Sequence, residues 1–114
     1  SAKQGYAPAQ HEVAGLYGSG QGVKQDLAEA ARWYRRAAQQ GHVPAQYSLG
    51  LMYYNGQGVR QDNVQAHLWF SLAAEGGEME AVSQRDVVTK LMSPEDIAKA
   101  EQLASKWRAA RPAP

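Results

Sequence analysis

The residues of this sequence best suited to chemistry are three histidines and a scatter of carboxylates. His11, His42 and His67 are widely separated, and none lies one helical turn from another histidine or from a carboxylate in a metal-binding arrangement. The 114 residues include no cysteine, so neither a thiolate ligand nor a disulfide is available. The glutamates contain no spaced pair that could divide the roles of general acid and general base. We therefore expect no metal, no cofactor and no catalytic residue, and we predict that the chain is not an enzyme.

A glycine-rich stretch at positions 18–22, Gly-Ser-Gly-Gln-Gly, is the nearest match to a phosphate-binding loop. Loops of that kind follow a strand and open a helix, where their backbone amides bind an anion. Here the stretch follows a helical pattern, and its core recurs at positions 56–58. We interpret it as a turn of a repeating unit.

The charge balance excludes two further classes of partner. Twelve Lys and Arg residues against eleven Asp and Glu residues give a net charge of +1, with the two signs mixed along the chain. Nucleic acids and anionic membranes are bound by clustered positive charge, so we expect no nucleic-acid partner. The sequence has no apolar run of membrane-spanning length and no signal-peptide pattern, so we expect no membrane insertion, and the compartment stays open between periplasm and cytoplasm.

The elements that must position any site come from a repeat of 36 residues. Residues 2–38 align with residues 38–74, and seventeen of the 37 aligned residues are identical. A period of this length is typical of solenoid proteins. We predict one repeat at residues 1–37, a second at 38–73, a degenerate C-terminal capping repeat at 74–110 and a tail at 111–114.

Each unit shows the pattern of two helices, which gives about six helices in all. A first helix has apolar residues at helical spacing, and a second helix follows a glycine-rich turn. Capping boxes open the second helices, with a short polar side chain followed three residues later by an acid or an amide. These pairs are Asp26 and Glu29, Asp62 and Gln65, and Ser93 and Asp96. Gly41 and Gly77 follow second helices and are suited to left-handed caps.

The second unit carries a family pattern, which runs Ala-x3-Leu-Gly-x2-Tyr, Gly-x-Gly-Val, and Asp-x3-Ala-x2-Trp-x3-Ala-Ala-x2-Gly. It is matched by Ala45, Leu49, Gly50, Tyr53, Gly56, Gly58, Val59, Asp62, Ala66, Trp69, Ala73, Ala74 and Gly77. This pattern resembles the Sel1-like repeat, a relative of the tetratricopeptide repeat. The resemblance implies an all-α fold, a right-handed superhelical solenoid of antiparallel helix pairs, and a bacterial scaffold or adaptor that binds other proteins.

The resemblance also implies where a partner would bind. In the tetratricopeptide fold, positions just off the core stripe of each first helix line a concave groove. We call the corresponding residues the groove positions: His11, Gly15, Gly18, Ser19, Tyr47, Leu51, Tyr54, Asn55, Ser83, Val87, Lys90 and Leu91. Our candidate partner-binding residues among them are His11, Tyr47, Leu51, Tyr54, Asn55, Val87, Lys90 and Leu91.

Tyr47, Leu51 and Tyr54 lie about one helical turn apart and would form an apolar ridge at the centre of this groove. The alternative is that Leu51 and Tyr54 pack beneath loops. Trp33, Tyr34, Trp69 and Phe70 recur on the second helices beside alanines, so we predict that they form the core between neighbouring repeats.

The sequence favours a module that binds a protein or peptide. Two alternatives remain, a cell-envelope accessory domain that binds a cell-wall glycan or peptide, and a purely architectural segment of a longer solenoid. In the architectural case, the exposed face of the first repeat could support self-association.

Overall fold

The computed structural model describes residues 7–19 and 26–110, and within these ranges it contains six α-helices and no strand. The helices are α1 (Ala7–Ser19), α2 (Leu27–Gln39), α3 (Val43–Asn55), α4 (Asn63–Glu75), α5 (Met79–Thr89) and α6 (Pro94–Ala110). The predicted all-α helical repeat fold is confirmed. The start of the first predicted repeat, its Gly-Gln-Gly-Val turn and the predicted tail lie outside the described residues. None of the described helices is long and apolar enough to cross a bilayer.

The second helix of each unit begins at its predicted cap. The Asp26 carboxylate accepts a hydrogen bond from the Glu29 amide, and the Asp62 carboxylate accepts from the amides of Val64 and Gln65. In the third unit, the Ser93 hydroxyl accepts from the Asp96 amide, and Pro94 begins α6. These side chains satisfy backbone donors that have no partner within the helix, which is why the three boundaries were predictable.

The ends of the helices repeat as closely as their beginnings. Gly41 and Gly77 follow α2 and α4 with φ angles of 88° and 100°, a left-handed conformation that favours glycine. Gly56 caps α3 in the same way, with a φ of 69°. The chain therefore turns at the same places in successive units.

Backbone and glutamine hydrogen bonds join neighbouring helices at recurring positions. The Asp26 amide donates to the Tyr17 carbonyl at 2.9 Å, and 36 residues later the Asp62 amide donates to the Tyr53 carbonyl at 3.1 Å. Gln10 and Gln46 are both buried, and Gln46 donates through Nε2 to the Ala38 carbonyl. The recurring spacing of these polar groups fixes how one helix pair follows the next.

The core lies along the line of second helices, as predicted for Trp69 and Phe70. Phe70 is completely buried, and Trp69 is 3% exposed with its ring edge against Trp107 of α6 at 6.3 Å between centroids. Trp33, in the corresponding position of α2, is only half-buried, and the Arg36 guanidinium lies over its ring. The tryptophan of the second unit is thus better covered than that of the first.

The third unit keeps two helices but arranges them differently. Helix α4 packs against both α5 and α6, whereas α5 and α6 make little contact with each other. Arg108 of α6 forms two hydrogen bonds with the Glu75 carboxylate at the end of α4, at 2.8 and 2.6 Å. Helices α5 and α6 therefore lie apart from each other on α4, and a surface ion pair helps to hold α6 there.

Candidate functional site

The groove positions differ in exposure along the molecule. His11, Tyr47, Leu51 and Tyr54 are half-buried, and the three residues of the predicted ridge pack against the core cluster. The groove positions of the third unit are more open, with Val87 45% exposed and Leu91 61% exposed. Asn55 and Lys90, at the ends of α3 and α5, are exposed. The ridge is therefore partly structural, and the most accessible apolar side chains lie on and just beyond α5.

A pocket of about 240 Å³ opens where the first unit meets the second. We call it the junction pocket, and its lining is Gly18, Leu27, Tyr34, Ser48, Leu51, Met52 and Gln57. Residues of α1, α2 and α3 contribute to it, so the pocket depends on the packing of these three helices. Two groove positions, Gly18 of α1 and Leu51 of α3, contribute to its lining.

Trp33 and Tyr34 are only half-buried, which corrects the prediction that all four recurring aromatic side chains form the core; of the two, only Tyr34 packs against the core clusters. Its ring is half-buried, and its hydroxyl lies 4.0 Å from the position that a Cβ on Gly15 would occupy. Burial raises the pKa of the Tyr34 hydroxyl, and a hydrogen bond with Ser48 opposes that shift. The Tyr34 hydroxyl lies next to Gly15 of α1, which has no side chain to cover it, and the 36-residue alignment alone does not reveal this.

His11 and His42, which are far apart in the sequence, meet beside Tyr34. The ring centroids of His11 and His42 are 5.2 Å apart, and those of His11 and Tyr34 are 5.4 Å apart. Burial lowers the pKa of His11, the neighbouring His42 lowers it further, and Glu12 opposes both effects. Burial also lowers the pKa of His42. This pair of rings is therefore uncharged near neutral pH.

Tyr47 stands in α3 where His11 stands in α1, and it makes the corresponding ring contact with Phe70 at 5.9 Å. Its hydroxyl donates to the Glu80 carboxylate at 3.3 Å. Burial raises the pKa of Tyr47, and Glu80 and Glu78 raise it further. Tyr47 thus links the second unit to the third, and only part of it is available to a partner.

A polar cleft of about 340 Å³ separates the spread helices of the third unit. It is lined by His67, Ser71, Glu75, Arg85, Thr89, Ile97, Glu101 and Arg108. Burial lowers the pKa of His67, Arg85 lowers it further, and Glu101 opposes them. Two arginines and two glutamates share the lining, so the cleft has no strong preference for either sign of charge.

Within residues 7–19 and 26–110, no three histidines, aspartates or glutamates form a group able to hold a metal ion. The Ser71 hydroxyl lies 3.4 Å from His67 Nδ1 within one turn of α4. This pair is buried, and it lies in the polar cleft rather than among the groove positions.

Comparison with known proteins identifies the repeat. The family model described as the Sel1 repeat matches residues 7–42 and 43–78. A comparison with curated protein sequences gave no match.

Two solved structures share the fold. One is a protective antigen of uropathogenic Escherichia coli strains that displays an SLR fold, with 36% identity and a TM-score of 0.89. The alignment covers 93% of this chain and 23% of that one, so the chain spans about a quarter of the length of this relative. The other is a Sel1 repeat protein from Oxalobacter formigenes, with 38% identity, a TM-score of 0.73, and coverage of 75% of this chain and 64% of that one.

The matched residues make up more than half of the chain, and each matched unit has two helices, an aspartate cap before the second helix and a left-handed glycine after it. The chain therefore belongs to the Sel1 repeat family, whose members are generally protein–protein interaction modules.

Proposed function

We propose that this chain is a non-enzymatic scaffold or adaptor module that holds a segment of a partner protein along its groove positions. The observation that carries the proposal is the contrast between the residues that repeat and those that do not. Caps, glycine turns and core alanines recur every 36 residues, whereas one groove position holds Gly15, then Leu51, then Val87. Positions free of the structural repeat are where a solenoid can specify a partner.

Exposed apolar side chains also support partner binding at the groove positions. Val87 and Leu91 lie about one helical turn apart, and both are substantially exposed. Leaving such side chains in water is unfavourable, and a contiguous apolar surface is typical of an interaction site. Leu51 and Tyr54, half-buried on α3, are the apolar groove positions of the second unit beside Tyr47.

The proposal is tested by capture from a bacterial lysate with the intact chain and two variants. In the first variant, Val87→Ser and Leu91→Ser change the groove positions. In the matched control, Lys99→Ser and Gln102→Ser change exposed residues of α6. We expect a protein retained by the intact chain and the control and lost by the groove variant, with equal helicity for all three. Retention by the groove variant at the level of the intact chain would contradict the assignment.

A second candidate function is architectural, and one set of corresponding residues favours it. Leu16 is 43% exposed, whereas Met52 and Val88, which follow it at intervals of 36, are 6% and 0% exposed. In the later units this position faces the preceding repeat, so the same face of α1 could stack on another repeat or a second copy. We expect Leu16→Glu to abolish any self-association seen in sedimentation, and a monomer at every concentration would count against self-association.

A further inference from the structure

We propose that the junction pocket receives one uncharged apolar side chain of a partner peptide, and that Gly18, which lines it, keeps it open. This inference rests on the proposed function, because it names what the partner inserts between the first and second units. The pocket lies between α1, α2 and α3, and its lining does not include the exposed apolar residues Val87 and Leu91.

The size of the pocket suits a single side chain. Its volume of about 240 Å³ exceeds that of a cavity of about 150 Å³ able to hold benzene. It lies below the range of roughly 300–1,000 Å³ that is usual for sites of drug-sized ligands. A leucine, isoleucine, methionine or phenylalanine side chain fits between these limits.

The lining determines the chemistry of the occupant. Of the described residues that line the pocket, none carries a charge, and Leu27, Leu51 and Met52 supply apolar surface. A charged group placed there would lose hydration without gaining a counter-ion. The polar groups of Tyr34, Ser48 and Gln57 are suited to hydrogen bonds with the backbone of the peptide that carries the side chain.

The two glycines of α1 have no steric reason to be glycine within the described structure. Neither has a positive φ, and a Cβ on Gly15 or Gly18 would find its nearest neighbour at 4.0 or 3.8 Å, an ordinary contact distance. Glycine within a helix is less stable than alanine. Gly50 of α3 is different, because a Cβ there would come within 2.7 Å of the Phe70 ring.

The corresponding positions of α3 carry large side chains in place of the two glycines. Leu51 and Tyr54 follow Gly15 and Gly18 at an interval of 36 residues, and both pack against the core cluster. Large side chains in α1 would project toward the uncovered Tyr34 ring, as the 4.0 Å approach of its hydroxyl to the Gly15 position indicates. The pocket at the first junction is thus lined by a glycine, Gly18, that reduces the stability of its own helix.

The test uses random linear peptides displayed on phage and selected on the whole chain. Affinities of the selected peptides are then measured for the intact chain, Gly18→Ala, Gly18→Leu, and the control Lys99→Leu on α6. We expect each peptide to contain one apolar residue whose replacement by aspartate weakens binding by roughly tenfold or more. Gly18→Leu should weaken binding to a similar extent, and the control should leave it unchanged.

A second pair of variants shows whether binding is lost because the pocket is filled or because the chain no longer folds correctly. Gly18→Ala should raise the melting temperature while weakening binding, a combination that loss of structure cannot produce. Adding Leu51→Ala to Gly18→Leu should restore part of the lost affinity by making room again. Selected peptides that bind Gly18→Leu and Gly18→Ala as tightly as the intact chain would overturn the inference while leaving the proposed function standing. Selection of no peptide at all would overturn both.

Discussion

Tyr34 and Phe70 stand at the same position of successive units, yet the junctions around them are built in opposite ways. Phe70 is fully buried between the second and third units, with the Tyr47 ring against it and Gly50 giving it space. Tyr34 meets a ring at the corresponding position, that of His11, but it stays half-buried at the edge of a pocket. The 36-residue repeat therefore determines where the two rings lie. Residues that differ between the repeats determine whether the junction around each ring is closed or open.

The largest expected effect is the difference in stability loss when each of the two rings is truncated to alanine. We expect Phe70→Ala to lower the free energy of unfolding by about 3–5 kcal/mol, because it leaves a cavity in a closed junction. Tyr34→Ala should cost no more than about 3 kcal/mol, because the ring already contacts solvent. Denaturant unfolding followed by circular dichroism measures both. Equal losses for the two variants would mean that the junctions are equally closed.

The next contrast concerns helix glycines facing the two rings. Gly50→Ala should destabilise the chain by about 1–3 kcal/mol, since its Cβ would overlap the Phe70 ring. Gly15→Ala should stabilise it by roughly 0.5–1 kcal/mol, because the space is free and alanine favours the helix. The measurement is again denaturant unfolding. Two changes of the same sign would remove the distinction between the junctions.

A smaller effect tests the caps that position the two rings. Asp62 accepts two backbone hydrogen bonds before the helix of Phe70, and Asp26 accepts one before the helix of Tyr34. We expect Asp62→Ala to cost about 1 kcal/mol, with Asp26→Ala no more costly. Thermal unfolding of both variants, with Asp62→Asn as the conservative control, provides the comparison. A more damaging Asp26→Ala would show that the first junction depends on its cap more than the second.

The smallest effect is a pH dependence located at the open junction. The pKa values of His11 and His42 are lowered in the folded chain, so the unfolded chain binds more protons in acid. Their contribution to stability is present above the ordinary histidine pKa of about 6.5 and is lost as the pH falls through the folded values. Tyr34 and Glu12 are the other titratable groups near His11.

His42→Asn provides the test of this coupling. It should raise the pKa of His11 in an NMR titration, because it removes one of the causes that lower it. An unchanged pKa would show that burial alone is responsible. His67 of the polar cleft also has a lowered pKa and should be unaffected by this substitution, which makes it an internal control.

Much of the fold could be predicted because its signals are local. The caps at Asp26, Asp62 and Ser93 each involve side chains and amides two or three residues apart, and the left-handed glycines lie next to the helices that they end. Such interactions can be inferred from sequence spacing alone.

The candidate site was less predictable because it depends on distances between elements. The contact of His11 with His42 and the pairing of Glu75 with Arg108 join residues that are 31 and 33 positions apart. The different exposure of Tyr34 and Phe70 depends on how closely α1 and α3 are packed around each ring. The spreading of α5 and α6 over α4, which opens the polar cleft, has no short-range signal either.

The most direct test of the account is chemical-shift mapping of the isotopically labelled chain as it is saturated with a selected peptide. We expect the largest amide shifts around Gly18, Ser48 and Leu51, at the open junction, and little change around Phe70. Shifts confined to the polar cleft, around His67, Arg85 and Glu101, with none at the open junction, would contradict the assignment of the peptide to the junction pocket.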